Sequence, residues 1–226
     1  LEVLARVYSC NISSWRDPAI ALLNPDAHHL LPDQPIQVGY MPDTAGTSSI
    51  FFDALTEHNP DIMESSAGAR CMSESSAYHL RDSNSRIVAF ASATPYALAY
   101  VDYADATALD LQVADLANGA CEGSVRASIE TIDSMLKSME LLDGENELAS
   151  STFSSYGTAL KQISWPMVSY TYFVIRSTST ADRLREGTTC DTVRATLKLL
   201  IWMYTSDTVD ATIRSHGFSP LSTDLK

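Results

Sequence analysis

The residues Met41-Pro42-Asp43-Thr44-Ala45-Gly46-Thr47 follow a short apolar run and open a segment of helical pattern, "SSIFFDAL". A strand, a small-residue loop and a helix start often hold an anion, because unpaired N–H groups and the helix dipole converge there. Asp43, Thr44, Gly46 and Thr47 are the candidate ligand-binding residues. The chemistry is only half present, since no Lys or Arg occurs between Arg16 and Arg70. Backbone donors remain and a cation does not.

Other chemistry-bearing residues are scattered. His28 and His29 are neighbours, so on a strand their rings would face opposite sides, and an exposed loop is expected. His58, His79 and His216 have no acidic or Cys partner at ligand spacing, so no metal site is expected. "SYGTAL" and "GTSS" lack the pattern of a nucleophile elbow, and Glu145 and Glu147 fall in a polar linker. No cofactor is expected, and the chain does not read as an enzyme. Cys10, Cys71, Cys121 and Cys190 form no CxxC pair. Two disulfides in an oxidising compartment are expected, with all three pairings open. "CNIS" places an N-glycosylation sequon at Asn11. Together these features favour a secreted or surface protein.

With 226 residues, 45% hydrophobic and 19% charged, the chain is long and apolar enough for a core. Its net charge of -13 argues against nucleic acid or an anionic membrane as partner, both of which reward clustered Lys and Arg. No apolar run approaches the roughly 20 residues that span a bilayer. The chain opens on Leu1 rather than Met and reads as a processed or excised piece.

The elements that must position the loop follow from periodicity and punctuation. Leu1, Leu4, Ala5 and Tyr8 have helical spacing. Asp17 followed by Pro18 predicts an N-cap and first helical position for "PAIALLN". "PIQVGY" reads as a strand and "SSIFFDALTEH" as a helix. Residues 59–86 read as loop with one helical segment. "RIVAFASATPYALAYVDYADA" reads as strand, turn, strand. Val125, Ile129, Ile132, Leu136 and Met139 share a helical face, with Met135 and Met139 filling core gaps. "WPMVSYTYFVIRS" reads as a strand. "CDTVRATLKLLIWMYTSDTVDATIRSHGFSPL" reads as a long amphipathic helix and a shorter one ended by Gly217, with Leu197, Leu200, Ile201 and Tyr204 in the core. Alternating strands and helices make the class α/β.

The order of "VYSCNISSWRDPAIALLNP…LPDQPIQV", the loop, "ATPYALAYVDYADA", "WPMVSYTYFVIR" and "HGFSPL" resembles the phosphate ABC-transporter substrate-binding proteins. The resemblance implies a periplasmic-binding-protein-like fold with a largely complete second lobe and an incomplete first lobe. Residues 1–160 would form the second-lobe-like domain, and residues 161–226 a returning strand and C-terminal helices of the first lobe. In that family the loop reads Arg-x-Asp-Gly-Ser-Gly-Thr. Met41 stands in the place of the Arg and Ala45 in that of the Ser, while Asp43, Gly46 and Thr47 match.

A hydrogen bond to a charged group is worth roughly 1.5–3 kcal/mol. A buried dianion without a cation faces a desolvation cost of roughly several kcal/mol, against ~0.3–2 kcal/mol from a helix dipole. The expectation is therefore a degenerate anion site in which Asp43 and Thr47 cap a helix. It sits in a non-enzymatic extracellular module for protein interaction, reception or assembly. A protein partner or another domain of the precursor would cover the incomplete lobe. The alternative is a working solute-binding protein, for phosphate or another small anion, completed by a missing lobe.

Overall fold

The computed structural model describes residues 1–60, 72–117, 123–142, 164–173, 187–223 and 226. The chain divides into two compact units, Leu1–Val168 and Ser169–Lys226. The expected boundary at 160/161 lies outside the described residues, as do Cys71, Cys121, Glu145 and Glu147.

The first unit begins with α1 (Glu2–Tyr8) and α2 (Pro18–Leu23). As the sequence suggests, the Asp17 side chain accepts the Ala19 N–H at 2.8 Å and Pro18 opens α2. His28–Leu30 then form a single 3-10 turn. Next come β1 (Gln37–Tyr40), α3 (Gly46–His58), β2 (Tyr78–Leu80), α4 (Asn84–Ala93), β3 (Ala97–Leu98) and α5 (Tyr103–Ala108). β4 (Leu116–Ala117), β5 (Ser124–Val125) and α6 (Ile129–Leu142) complete the described part. β1 lies at the centre of a three-stranded parallel sheet of order β2-β1-β3, with Val38 opposite both Tyr78 and Leu98. β4 and β5 form a separate antiparallel pair.

The core gathers on β1. Tyr8 of α1 is fully buried and donates its hydroxyl proton to the Gly39 carbonyl at 3.1 Å. Its ring meets the edge of Phe51 of α3 at 4.8 Å, and Phe51 stacks on Tyr100 at 4.2 Å. Ile12, Ile36, Val38, Leu55 and Ile87 fill the space around these rings. Aromatic pairs in such geometries add roughly 0.5–1.5 kcal/mol beyond their buried area, so α1, α3 and the segment after β3 are fastened to one another.

Several sequence expectations are corrected. "RIVAF" is not a strand but part of α4, with Ile87, Val88 and Phe90 buried. β2 and β3 both run parallel to β1, and parallel strands need a crossover between them; α4 supplies it. Val125 is not helical, because it sits in β5 opposite Leu116. α6 starts later, where Ser128 Oγ accepts the Thr131 N–H (3.2 Å) and Thr131 Oγ1 accepts the Ser128 N–H (2.9 Å). This reciprocal capping fixes the start.

"WPMVSYTYF" forms no strand among the described residues 164–173. Strand propensity is expressed only beside a neighbouring strand, and the Trp165 N–H is donated instead to the Thr131 carbonyl. The rest of that expected strand lies outside the described residues.

In the second unit, α7 (Cys190–Thr205) is capped by Thr189 and α8 (Asp207–Ser215) ends before Gly217, whose φ is 81°. Contrary to expectation, α7 has no buried residue. Leu197, Leu199, Ile201 and Trp202 are each about half exposed or more (47–62%). Capping and local propensity suffice to form the helix, and its apolar side is left uncovered. Cys190 is a free, exposed thiol, so the four cysteines do not make two intrachain bridges. Cys10 is disulfide-bonded, to a partner outside the described residues. No helix among the described residues is long and apolar enough to cross a membrane.

Gly39 shows how tightly α4 sits on β1. A Cβ added there would lie 2.7 Å from Phe90 Cδ1 and 3.2 Å from Ala99 Cβ. Gly39→Ala is expected to cost about 1–3 kcal/mol through overpacking, measured by urea unfolding. Unchanged stability would show that the Phe90 ring is not fixed against the strand.

Candidate anion loop

Met41 follows β1 directly, and its side chain is buried at 1% exposure rather than projecting from the loop. It belongs to the same core as Phe51 and Tyr100. Its backbone is equally committed. The Met41 N–H donates to the Tyr100 hydroxyl at 2.8 Å, and Ser48 Oγ lies 3.2 Å from the Met41 carbonyl and 2.8 Å from the Tyr100 hydroxyl. Tyr100 also reaches that carbonyl, at 3.4 Å. Each hydroxyl has one proton to give. Either Ser48 donates to the carbonyl and Tyr100 to Ser48, or Tyr100 donates to the carbonyl and Ser48 to Tyr100. Both arrangements close the ring with every polar group satisfied.

The rest of the loop is open. Asp43, Thr44 and Gly46 are exposed, and Ala45 and Thr47 half-buried. The Ala45 N–H donates to the Pro42 carbonyl at 2.9 Å, closing the turn. Ala45 is the N-cap of α3, and no side chain caps that helix. The expected capping by Asp43 and Thr47 is thus corrected: with α3 starting at Gly46, Asp43 lies two residues before the N-cap Ala45 and Thr47 lies inside the first turn. A Cβ added at Gly46 would meet nothing within 4 Å, so α3 has open space beside its first residue, while Ser48 in the same turn is buried.

Asp43 brings a negative charge to the loop that is felt at Tyr100. Burial raises the Tyr100 phenol above its ordinary pKa, the hydrogen bonds from Ser48 and Met41 work against that rise, and the negative Asp43 adds to it. Arg81 and Arg86 line an open depression of about 540 Å³ along α4 that includes no residue of the loop. Arg86 is paired there with Asp82 at 3.0 Å, and Arg81 lies over the Phe90 ring at 4.8 Å.

The histidines have local partners. His28 Nδ1 is 2.7 Å from the Pro25 carbonyl, and its ring meets the edge of His29. His79 Nε2 is 2.9 Å from Gln37 Oε1, and its pKa is lowered by burial and then by Arg81. His216 Nδ1 is 2.8 Å from the Thr212 carbonyl. No group of three metal-ligating side chains occurs among the described residues. The sequence reading missed Ser48 and Tyr100. A serine in the first turn of a helix and a tyrosine in an apolar run were the available signals, and neither shows its partner without the fold.

The central strand of a parallel sheet leads through a small-residue loop into α3, an α/β arrangement. The family profile described as a PBP superfamily domain matches residues 1–195, and the chain belongs to that superfamily as a phosphate-binding-protein-like member. The phosphate-binding protein PstS of Pasteurella multocida is 32% identical over 119 residues, covering 53% of this chain and 34% of that protein. PstS 3 of Mycobacterium leprae is 25% identical over 176 residues, covering 76% of this chain and 46% of that one. The whole chain also aligns with proteins of Acanthamoeba polyphaga mimivirus named as candidate serine/threonine-protein kinase/receptors, at 26% and 24% identity. It spans 14% of the length of each.

Tyr100→Phe strands the buried Met41 N–H and is expected to cost about 1–3 kcal/mol. Ser48→Ala should cost less, because Tyr100 can still donate to the Met41 carbonyl. The double variant should fall short of the sum in urea unfolding, as expected within one network; strict additivity would show that the ring is not a unit. The buried phenols also set an alkaline limit. Burial pushes Tyr78 up to about 12 and raises Tyr8 well above its ordinary 10.0. The folded state therefore holds these protons after the unfolded chain has released them. For Tyr78 that stabilisation is complete below about pH 10 and is lost as pH rises through about 12. Phenolate absorbance should lag behind that of free tyrosine until unfolding begins.

Proposed function

We propose that the chain is a non-catalytic interaction or reception module on a phosphate-binding-protein scaffold whose anion loop no longer binds phosphate. One observation carries this reading: Met41, at the position where the resemblance places a cation, is buried in the core with its N–H given to Tyr100. Ala45 brings no hydroxyl to the turn, and Asp43 adds negative charge beside it. The module belongs to a longer receptor-like protein that faces the outside of a cell or particle. The small share of the mimivirus relatives' length supports this, as does the uncovered apolar side of α7, which a further domain or a protein partner would bury. Residues 1–160 correspond to the binding protein's second lobe and residues 161–226 to part of its first.

Solute binding is the second reading, and the uncapped, open first turn of α3 is what favours it. Calorimetric titration of the full chain with phosphate and sulfate separates the two. The proposal expects affinity weaker than about 1 mM, roughly -4 kcal/mol, and submicromolar binding would overturn it. Met41→Arg with Ala45→Ser puts back the lost groups. Because Met41 is buried, the new guanidinium should lower stability by several kcal/mol, on the order of an unpaired buried charge. Phosphate should raise the melting temperature of that variant and leave the parent unchanged.

A further inference from the structure

We propose that Asn11 is an N-glycan acceptor. The sequon Asn11-Ile12-Ser13 is the one Asn-x-Ser/Thr tripeptide in the chain. Its backbone is pinned to the last turn of α1: the N–H groups of Cys10, Asn11 and Ile12 are donated to the carbonyls of Val7, Arg6 and Arg6, at 3.0, 2.8 and 3.1 Å. Cys10 takes a left-handed conformation, φ 60°, to make that turn. The result is a sharp division within three residues. Ile12 is buried at 1% exposure, whereas Asn11 and Ser13 are exposed. The side-chain amide of Asn11 donates to the Ser9 hydroxyl at 3.0 Å, and a substituted amide keeps one N–H with which to hold that contact. The fold can therefore carry a bulky sugar at this corner without displacing core atoms.

The same division sets the order of events. A transferase must read the sequon as an extended segment, and the folded protein holds Ile12 in the core. The sugar therefore arrives before α1 docks. In that step the Asn11 Nδ2 bonds to the anomeric carbon of a lipid-diphosphate-linked oligosaccharide. The bond from that carbon to the phosphate oxygen breaks, the lipid diphosphate leaves, and one amide proton passes to solvent. Disulfide formation at Cys10 requires the same oxidising compartment and competes with glycosylation, because it closes the chain beside the acceptor.

The test is intact-mass analysis of the full chain secreted from animal cells behind a cleavable leader. A single glycan increment is expected, removed by peptide N-glycosidase with conversion of Asn11 to Asp, and absent from Asn11→Gln and from Ser13→Ala. Both variants alter exposed side chains and should be secreted as well as the parent. Cys10→Ser should raise occupancy wherever the parent is only partly modified. An unmodified mass for the secreted parent, or an increment that persists in Asn11→Gln, overturns the proposal. The result does not depend on whether the loop at Met41 binds phosphate.

Discussion

Everything around the candidate site hangs on the hydrogen-bonded ring of Met41, Ser48 and Tyr100. It joins the end of the central strand, the first turn of the helix that follows and a segment fifty residues further along. All three groups are buried, so each bond lost would leave a polar group without water, at about 1–3 kcal/mol. The Phe51 ring stacked on Tyr100 and the Tyr8 edge on Phe51 hold the tyrosine hydroxyl at the one place where it can satisfy the loop. The ring of bonds and the stack of rings therefore support each other: the stack fixes the tyrosine, and the tyrosine closes the backbone.

This arrangement holds the loop in shape through bonds within the protein itself. In a loop built around a bound anion, donors point outward and the ligand completes them. Here the donor next to the strand is turned inward and completed by a phenol. The part left outward-facing is the first turn of α3, with exposed Gly46 and Asp43 and no cap. A dipole of ~0.3–2 kcal/mol remains against the field of Asp43 and the desolvation of a multiply charged ligand. The geometry of the loop is maintained by the protein's own atoms.

Elements announced by local chemistry were legible in the sequence. Asp17 with Pro18 marked α2, the apolar run ending at Tyr40 marked β1, and the pattern after Gly46 marked α3. Elements decided by topology were not. Nothing local tells the apolar run at Ile87 that parallel strands on both sides of β1 require a crossover helix, and nothing tells "WPMVSY" that no strand stands beside it among the described residues. At the site, the missing cation was legible from composition. The fate of the residue in its place was not, because an exposed methionine and a buried one are written identically. Ser48 and Tyr100 escaped for the same reason: fifty-two residues separate them, and only packing brings their hydroxyls together.

The two units carry opposite kinds of information. In the first, Tyr8, Val38, Phe51, Leu55 and Ile87 gather into one core, and the buried Ser48 hydroxyl and Met41 N–H are satisfied by named partners. In the second, α7 has the strength to form, through the Thr189 cap and a helix-favouring sequence, yet Leu197, Ile201 and Trp202 stay in contact with solvent. Such a helix gains little from burial within its own unit. Because those side chains are already about half covered, burying each one completely would add roughly half of the 1.5–3 kcal/mol that full burial brings. A surface of that kind favours association. The first unit thus turns the donor beside its central strand inward, and the second leaves the apolar side chains of its long helix outward.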